Sequence, residues 1–111
     1  MILLSMLALL STSCLAQNSI VLPKPSMNNN VTLMHALQER HSTREYADKQ
    51  IPDDVLSTVL WAAYGINRPN EGKITAPSAI NAQDILVYVV RKDGAYLYQP
   101  KDNSLQMVSS P

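Results

Sequence analysis

Ile85-Leu86-Val87-Tyr88-Val89-Val90-Arg91-Lys92-Asp93-Gly94-Ala95-Tyr96-Leu97-Tyr98 is the stretch that decides the fold. Its first six residues are apolar and rich in β-branched side chains, which predicts a central strand over Ile85 to Arg91, covered on both faces. Lys92-Asp93-Gly94 supplies a turn, and Ala95 to Gln99 pairs back as the second arm of a hairpin. Pro100-Lys101-Asp102-Asn103 is another turn, after which Ser104 to Val108 begins a third strand. No helical pattern follows before Pro111 to cover the sheet.

Upstream the period changes. Pro52 with Asp53 and Asp54 opens a helix running to Ile66, since proline fits a first helical turn and carboxylates favour the positive helix terminus. That helix is apolar nearly all round, with Val55, Leu56, Val59, Leu60 and Ala63 on one side and Trp61, Ala62, Tyr64 and Ile66 filling the others. Such a helix is expected to be buried on all sides, with a second chain as its natural partner. Leu33, Met34 and Leu37 give one apolar face to a shorter helix from Leu33 to Arg40, with Thr32 as its N-cap. Gly65 to Gly72 reads as a loop, and Ser78 as a possible cap where order resumes.

Residues 17–31 have the Pro, Ser and Asn content of a linker, leaving residues 32–111 as the folded part. Residues 1–16 read as an export signal, because the apolar stretch from Met1 to Leu10 is about half of the roughly 20 residues a membrane-spanning helix needs. Cleavage after Ala16 and lipid attachment at Cys14 are both compatible with Ser13-Cys14-Leu15-Ala16. The expected location is therefore exported, periplasmic or lipid-anchored, without a permanent membrane span, and cytoplasmic if the segment is instead a buried apolar terminus.

Composition excludes several classes. The chain has 111 residues, 46% hydrophobic and 16% charged, which suits one small domain and not a disordered tail. Nine Lys plus Arg balance nine Asp plus Glu, so no basic field is available to hold nucleic acid. One cysteine and two histidines leave no disulfide framework and no cysteine-based zinc site, and no metal site is expected.

The chemistry gathers in two short segments. In Glu39-Arg40-His41-Ser42-Thr43-Arg44, two guanidinium groups and two hydroxyls within five residues can converge on one multivalent anion such as a phosphate. The plainer alternative is a charged helix end, with Arg40 neutralised by Glu39 and Arg44 by Glu45. The second segment is Pro77-Ser78-Ala79-Ile80-Asn81-Ala82-Gln83, whose plainer alternative is an ordinary capped turn. Neither a serine triad nor a glycine-rich phosphate loop occurs, so no catalytic side chain is assigned. Arg68 and Arg91 are read as exposed.

Arg40-His41-Ser42-Thr43-Arg44-Glu45-Tyr46 resembles the opening signature of the nitroreductase family, in which an Arg-x-Ser-x-Arg/Lys pattern ends the first helix. Pro77-Ser78-x-x-Asn81-x-Gln83 ahead of a strand resembles its second signature. Trp61 to Arg68 and the Gly94 to Tyr98 hairpin are most similar to the branch that includes the SagB-type dehydrogenases. The resemblance implies an α+β fold, with helices packed on a mainly antiparallel sheet, that forms a homodimer and binds flavin mononucleotide (FMN) at the dimer interface. It implies hydride transfer from NAD(P)H through the flavin to a nitroaromatic, quinone or similar small-molecule acceptor. By position, Arg40, Ser42 and Arg44 would hold the flavin phosphate and ribityl chain, with His41 contributing through backbone or ring. Ser78 and Asn81 would approach the isoalloxazine from the partner subunit, and Pro77 would shape that turn.

The chain also departs from the family. Members are usually around twice this length, so the resemblance marks it as a truncated front half. Ile74 stands where related sequences commonly carry a basic residue. Export sits poorly with a cytoplasmic nicotinamide donor and implies another electron source. A second function class therefore stands beside the first: a non-catalytic exported fragment or interaction module without a complete flavin site.

Overall fold

The computed structural model describes residues 18–28 and 30–111, so the expected signal segment and Cys14 lie outside the described residues. Two helices and a mainly antiparallel sheet give an α+β fold. Strand β1 is Ser19–Val21, followed by helices α1 (Leu33–Glu39) and α2 (Asp53–Tyr64). A small ribbon, β2 (Ile66–Arg68) and β3 (Lys73–Ile74), leads to β4 (Tyr88–Arg91), β5 (Gly94–Gln99) and β6 (Ser104–Ser109). The main sheet has the order β1-β6-β5-β4, antiparallel throughout.

Local chemistry accounts for the helix starts. The Thr32 side chain accepts from the His35 backbone N–H at 3.2 Å, satisfying one of the donors that a helix start leaves free. Asp53 and Asp54 occupy the first turn of α2 after Pro52. At its other end the chain turns at Gly65, where a Cβ would overlap the Trp61 ring and carbonyl, so only glycine lets the indole close over the turn.

Helix α2 covers one face of the sheet. Leu60 packs there with Leu22, Tyr96, Tyr98 and Leu105, the last fully buried. Alternation along β5 turns Tyr96 and Tyr98 inward, and the register sets Ile20, Leu105 and Tyr98 side by side across three strands. Burial first, and then the Asp93 carboxylate, hold the Tyr96 phenol above its ordinary value; burial and Asp102 do the same for Tyr98.

A buried polar knot ties the layers together. The Asn103 Nδ2 group donates to the Pro23 carbonyl at 2.8 Å and to Ser57 Oγ at 2.9 Å, while its Oδ1 accepts from the Tyr98 hydroxyl at 3.2 Å. Ser57, fully buried on α2, donates in turn to the Pro23 carbonyl. The Leu22 N–H reaches the Asn103 carbonyl at 3.0 Å. Asn103 adopts φ 51°, a left-handed conformation that asparagine tolerates better than most residues.

Four expectations are corrected. Residues 18–28 fall in the stretch expected to be a linker, yet they supply strand β1 and the core residue Leu22, because β6 offers an open edge for Ser19–Val21 to pair with. The run Ile85 to Val90 becomes regular strand only from Tyr88 and lies at the sheet edge, with Val90 82% exposed, because α2 supplies a layer on one face only. Within α2 only Ser57 and Leu60 are buried, while Val55 and Val59 face outward. Arg91, expected on the surface, has a side chain only 16% exposed. It pairs with Asp53 at 3.2 Å and stacks over the Tyr96 ring at 5.9 Å. Its Nε lies 3.2 Å from Asp93 without the alignment of a hydrogen bond.

Replacing Asn103 by Ala should leave Tyr98, Ser57 and the Pro23 carbonyl short of partners and cost about 2 to 4 kcal/mol. Denaturant unfolding measures it, and a loss below about 1 kcal/mol would reduce the knot to a surface feature. A second expectation concerns alkali. A phenol held above its unfolded value contributes fully below pH 10.0 and loses that contribution as pH rises through the raised value. Tyr96→Phe with Tyr98→Phe should therefore flatten the fall in stability above that pH, read from thermal unfolding across an alkaline series.

Candidate functional site

Arg40 is the C-cap residue of α1, with extended backbone at φ −63° and ψ 123°, and the chain from there to Gln50 runs exposed. The plainer reading pairs Arg40 with Glu39 and Arg44 with Glu45, and neither pair is among the ion pairs of the described residues. Among the described residues the ion pairs join Lys73 to Glu71, Arg91 to Asp53 and Asp93, and Lys92 to Asp48, so neither Arg40 nor Arg44 is neutralised. Among the described residues the Ser42 hydroxyl likewise has no hydrogen-bond partner. His41 Nδ1–H donates to the Glu39 carbonyl at 2.9 Å, since a carbonyl only accepts. Tyr46 closes the segment by donating to the Thr43 carbonyl at 3.1 Å.

The second segment is built differently. The Ser78 hydroxyl accepts from the Gln83 N–H at 2.7 Å, and the Asn81 N–H returns to the Ser78 carbonyl at 3.1 Å. Ile80, Asn81 and Gln83 have φ of 49°, 57° and 49°. Three left-handed residues so close together, one of them β-branched, store strain of about 1 to 3 kcal/mol each, a pattern that concentrates at ligand sites. The Ile80 side chain is 98% exposed at the crest of this turn.

Two clefts flank the turn. One, of about 280 Å³, is lined by Pro77, Ser78 and Asn81 together with Arg68 and Lys73. Arg68 and Lys73 are register partners on β2 and β3, so two like charges face each other at its wall. The other, of about 310 Å³, has Tyr64, Ser78, Gln83 and Ile85 in its lining. The buried Tyr64 hydroxyl has no hydrogen-bond partner among the described residues. Pro77, Ser78 and Asn81 share one of these two clefts, and Arg40, His41, Ser42 and Arg44 line neither.

Sequence reasoning missed Gln83 and Gly72 as parts of this site. Gln83 Nε2 donates to the Gly72 carbonyl at 2.6 Å and to Asn81 Oδ1 at 2.7 Å. The signal available was Gln83 itself, two residues after Asn81 in the same motif. Gly72, at φ 62°, had none beyond being a loop glycine. Among the described residues no group of three His, Cys, Asp or Glu could hold a metal ion, and no helix is long and apolar enough to cross a membrane.

Comparison with known proteins adds the following. The nitroreductase family model matches residues 37–111, a span that includes both segments. Among solved structures, the chain is similar to a protein assigned as a nitroreductase from Ralstonia eutropha JMP134, with 39% sequence identity and a TM-score of 0.78. The match covers 83% of this chain and 44% of that one, so the chain spans less than half the length of that relative. A search of the curated proteins gives no significant match.

The Ser78 hydroxyl anchors the strained turn through one buried-side bond. Ser78→Ala should therefore speed amide hydrogen exchange at Gln83 by about tenfold, the equivalent of about 1.4 kcal/mol. Exchange at Leu105 in the sheet should be unchanged, and an equal rise at both would mean global loss of stability.

Proposed function

Because the chain belongs to the nitroreductase family, we propose that it supplies the phosphate grip and one ring-facing turn of an FMN-dependent oxidoreductase. The observation that carries this reading is the donor set at the end of α1. Arg40, Ser42 and Arg44 present two guanidinium forks and a hydroxyl on exposed chain, none of them paired among the described residues. A doubly charged phosphate matches that set, since each fork can donate to two of its oxygens. His41, whose Nδ1–H is turned to the Glu39 carbonyl, would contribute through its backbone or its ring. The strained turn at Ser78 and Asn81, with the orphaned Tyr64 hydroxyl beside it, fits a flat polar ring.

When bound, the flavin supplies the redox chemistry, and the protein supplies orientation and electrostatics. NAD(P)H is the electron donor of this reading, a nitroaromatic, quinone or similar molecule the acceptor, and the SagB-type branch the nearest kin. The active unit is a homodimer, in which Pro77, Ser78 and Asn81 of one copy meet the flavin held by Arg40, Ser42 and Arg44 of the other. Two things support the dimer: residues 40–44 line neither cleft beside Ser78, and the apolar residues Leu33, Met34, Leu37, Val55 and Val59 face outward. Export, by cleavage after Ala16 or lipid at Cys14, is the other arm of the proposal, and in an exported chain another electron source takes the place of NAD(P)H.

The second reading, a non-catalytic exported fragment or interaction module, has one observation in its favour: no described cleft gathers both segments in one chain. Flavin absorbance retained by the purified protein separates the two.

Arg40→Ala or Arg44→Ala should weaken FMN binding by about tenfold to hundredfold, the equivalent of a charge-assisted contact of about 1.5 to 3 kcal/mol. Riboflavin, which lacks the phosphate, should lose little, and the exposed Lys101→Ala serves as control. Equal losses for both flavins would assign these arginines to folding, and no loss at all would return them to a solvated helix end.

A further inference from the structure

Building on the reading of Asn81 as a flavin contact, we propose that Gln83 is a positioning residue that fixes which way round the Asn81 carboxamide faces its ligand. A backbone carbonyl only accepts hydrogen bonds. The terminal atom of Gln83 that lies 2.6 Å from the Gly72 carbonyl is therefore its nitrogen, Nε2. That same nitrogen lies 2.7 Å from the Asn81 side chain, so the Asn81 atom facing it is the acceptor Oδ1. Asn81 Nδ2 is turned toward the Gly72 carbonyl as well, at 3.4 Å. Reversing Asn81 alone would set two N–H groups against each other across 2.7 Å. Reversing Gln83 alone would set two acceptors together across 2.6 Å. Either costs a hydrogen bond and leaves a repulsion, so one orientation of the pair survives.

The backbone is arranged for this. Gly72 presents its carbonyl from φ 62°, a conformation glycine adopts without steric cost, and its absent Cβ would meet nothing within 4 Å. Its role there is to aim a carbonyl, not to make room. Asn81 and Gln83, both left-handed, bring their side chains to the same side of the turn despite being two residues apart. An exposed asparagine left to itself would sample both amide orientations. Held as it is, Asn81 keeps one Nδ2–H and one Oδ1 lone pair unused, in a fixed order along the turn. A heterocycle edge with an acceptor and a donor in the matching order is received, and the reverse order is refused.

The test uses the whole chain with 15N in its Asn and Gln side chains, read by magic-angle-spinning NMR so that assembly size does not matter. Gln83→Glu keeps the shape and turns the donor into an acceptor. Asn81 should then reverse and donate from Nδ2 to the new carboxylate, moving its side-chain amide resonance downfield above about pH 4.3, the ordinary glutamate value. On acidification the protonated carboxyl is a donor again, and the resonance should return. Gln83→Ala should give two Asn81 amide signals, or one averaged one, in place of the single wild-type signal. An Asn81 resonance identical in wild type and both variants, without any dependence on pH, overturns the proposal. Should Gln83→Ala fail to fold, Gln83→Glu at the two pH values decides alone. Adding FMN to the wild-type chain separates the underlying reading: an Asn81 resonance that FMN leaves unmoved defeats the flavin contact, while the hold of Gln83 on Asn81 stands.

Discussion

One carboxamide, that of Asn103, sets the relation between the sheet and everything outside it. It joins the exit of β1 at Pro23, the buried Ser57 of α2 and Tyr98 of β5, three segments that share no local sequence. Its position is forced by the β5 to β6 turn, which places it in a left-handed conformation directly under α2. Because Ser57 and Tyr98 are buried, their hydroxyls need partners, and Asn103 is placed to serve both. The apolar residues around it supply most of the burial, but they would tolerate more than one angle of α2 across the sheet. The directional bonds select one.

How far the sequence discloses this depends on range. Thr32, Pro52 and the Asp53-Asp54 pair act within one helical turn, and the helices begin where these residues place them. The hairpin at Lys92-Asp93-Gly94 is equally local, and Tyr88 to Gln99 pairs as its pattern requires. Burial is a different matter. The run from Ile85 to Val90 has the composition of a covered strand, but composition carries no information on whether a second layer is present, and here the strand lies at an edge. Ser19–Val21 is too short to have a period, and its partner β6 is more than eighty residues away. The bonds of Asn103 to Ser57 and Pro23 span 46 and 80 residues, so the sequence could mark it as a turn residue and nothing more.

The candidate site divides along the same line. Arg40, Ser42 and Arg44 stand out in the sequence as candidates because their chemistry is intrinsic to the side chains and needs no neighbour. Asn81 was legible through the resemblance alone, since an exposed asparagine in a turn is otherwise unremarked. What holds Asn81 was not legible: Gln83 bonds to a carbonyl eleven residues back, across a ribbon whose pairing the sequence read as loop.

That ribbon has a property of its own. Arg68 and Lys73 face each other across β2 and β3, with Glu71 drawing off Lys73 at 3.1 Å and no carboxylate paired with Arg68 among the described residues. Two strands held together against like charge close more firmly when small ions screen the repulsion, over a length of about 8 Å at physiological ionic strength. The Gly72 carbonyl, which accepts from Gln83 and Asn81, lies in the connection between the two strands. The ionic composition of the medium thus bears on how firmly the ribbon closes, and the turn at Ser78 and Asn81 is bonded to that ribbon at its Gly72 carbonyl.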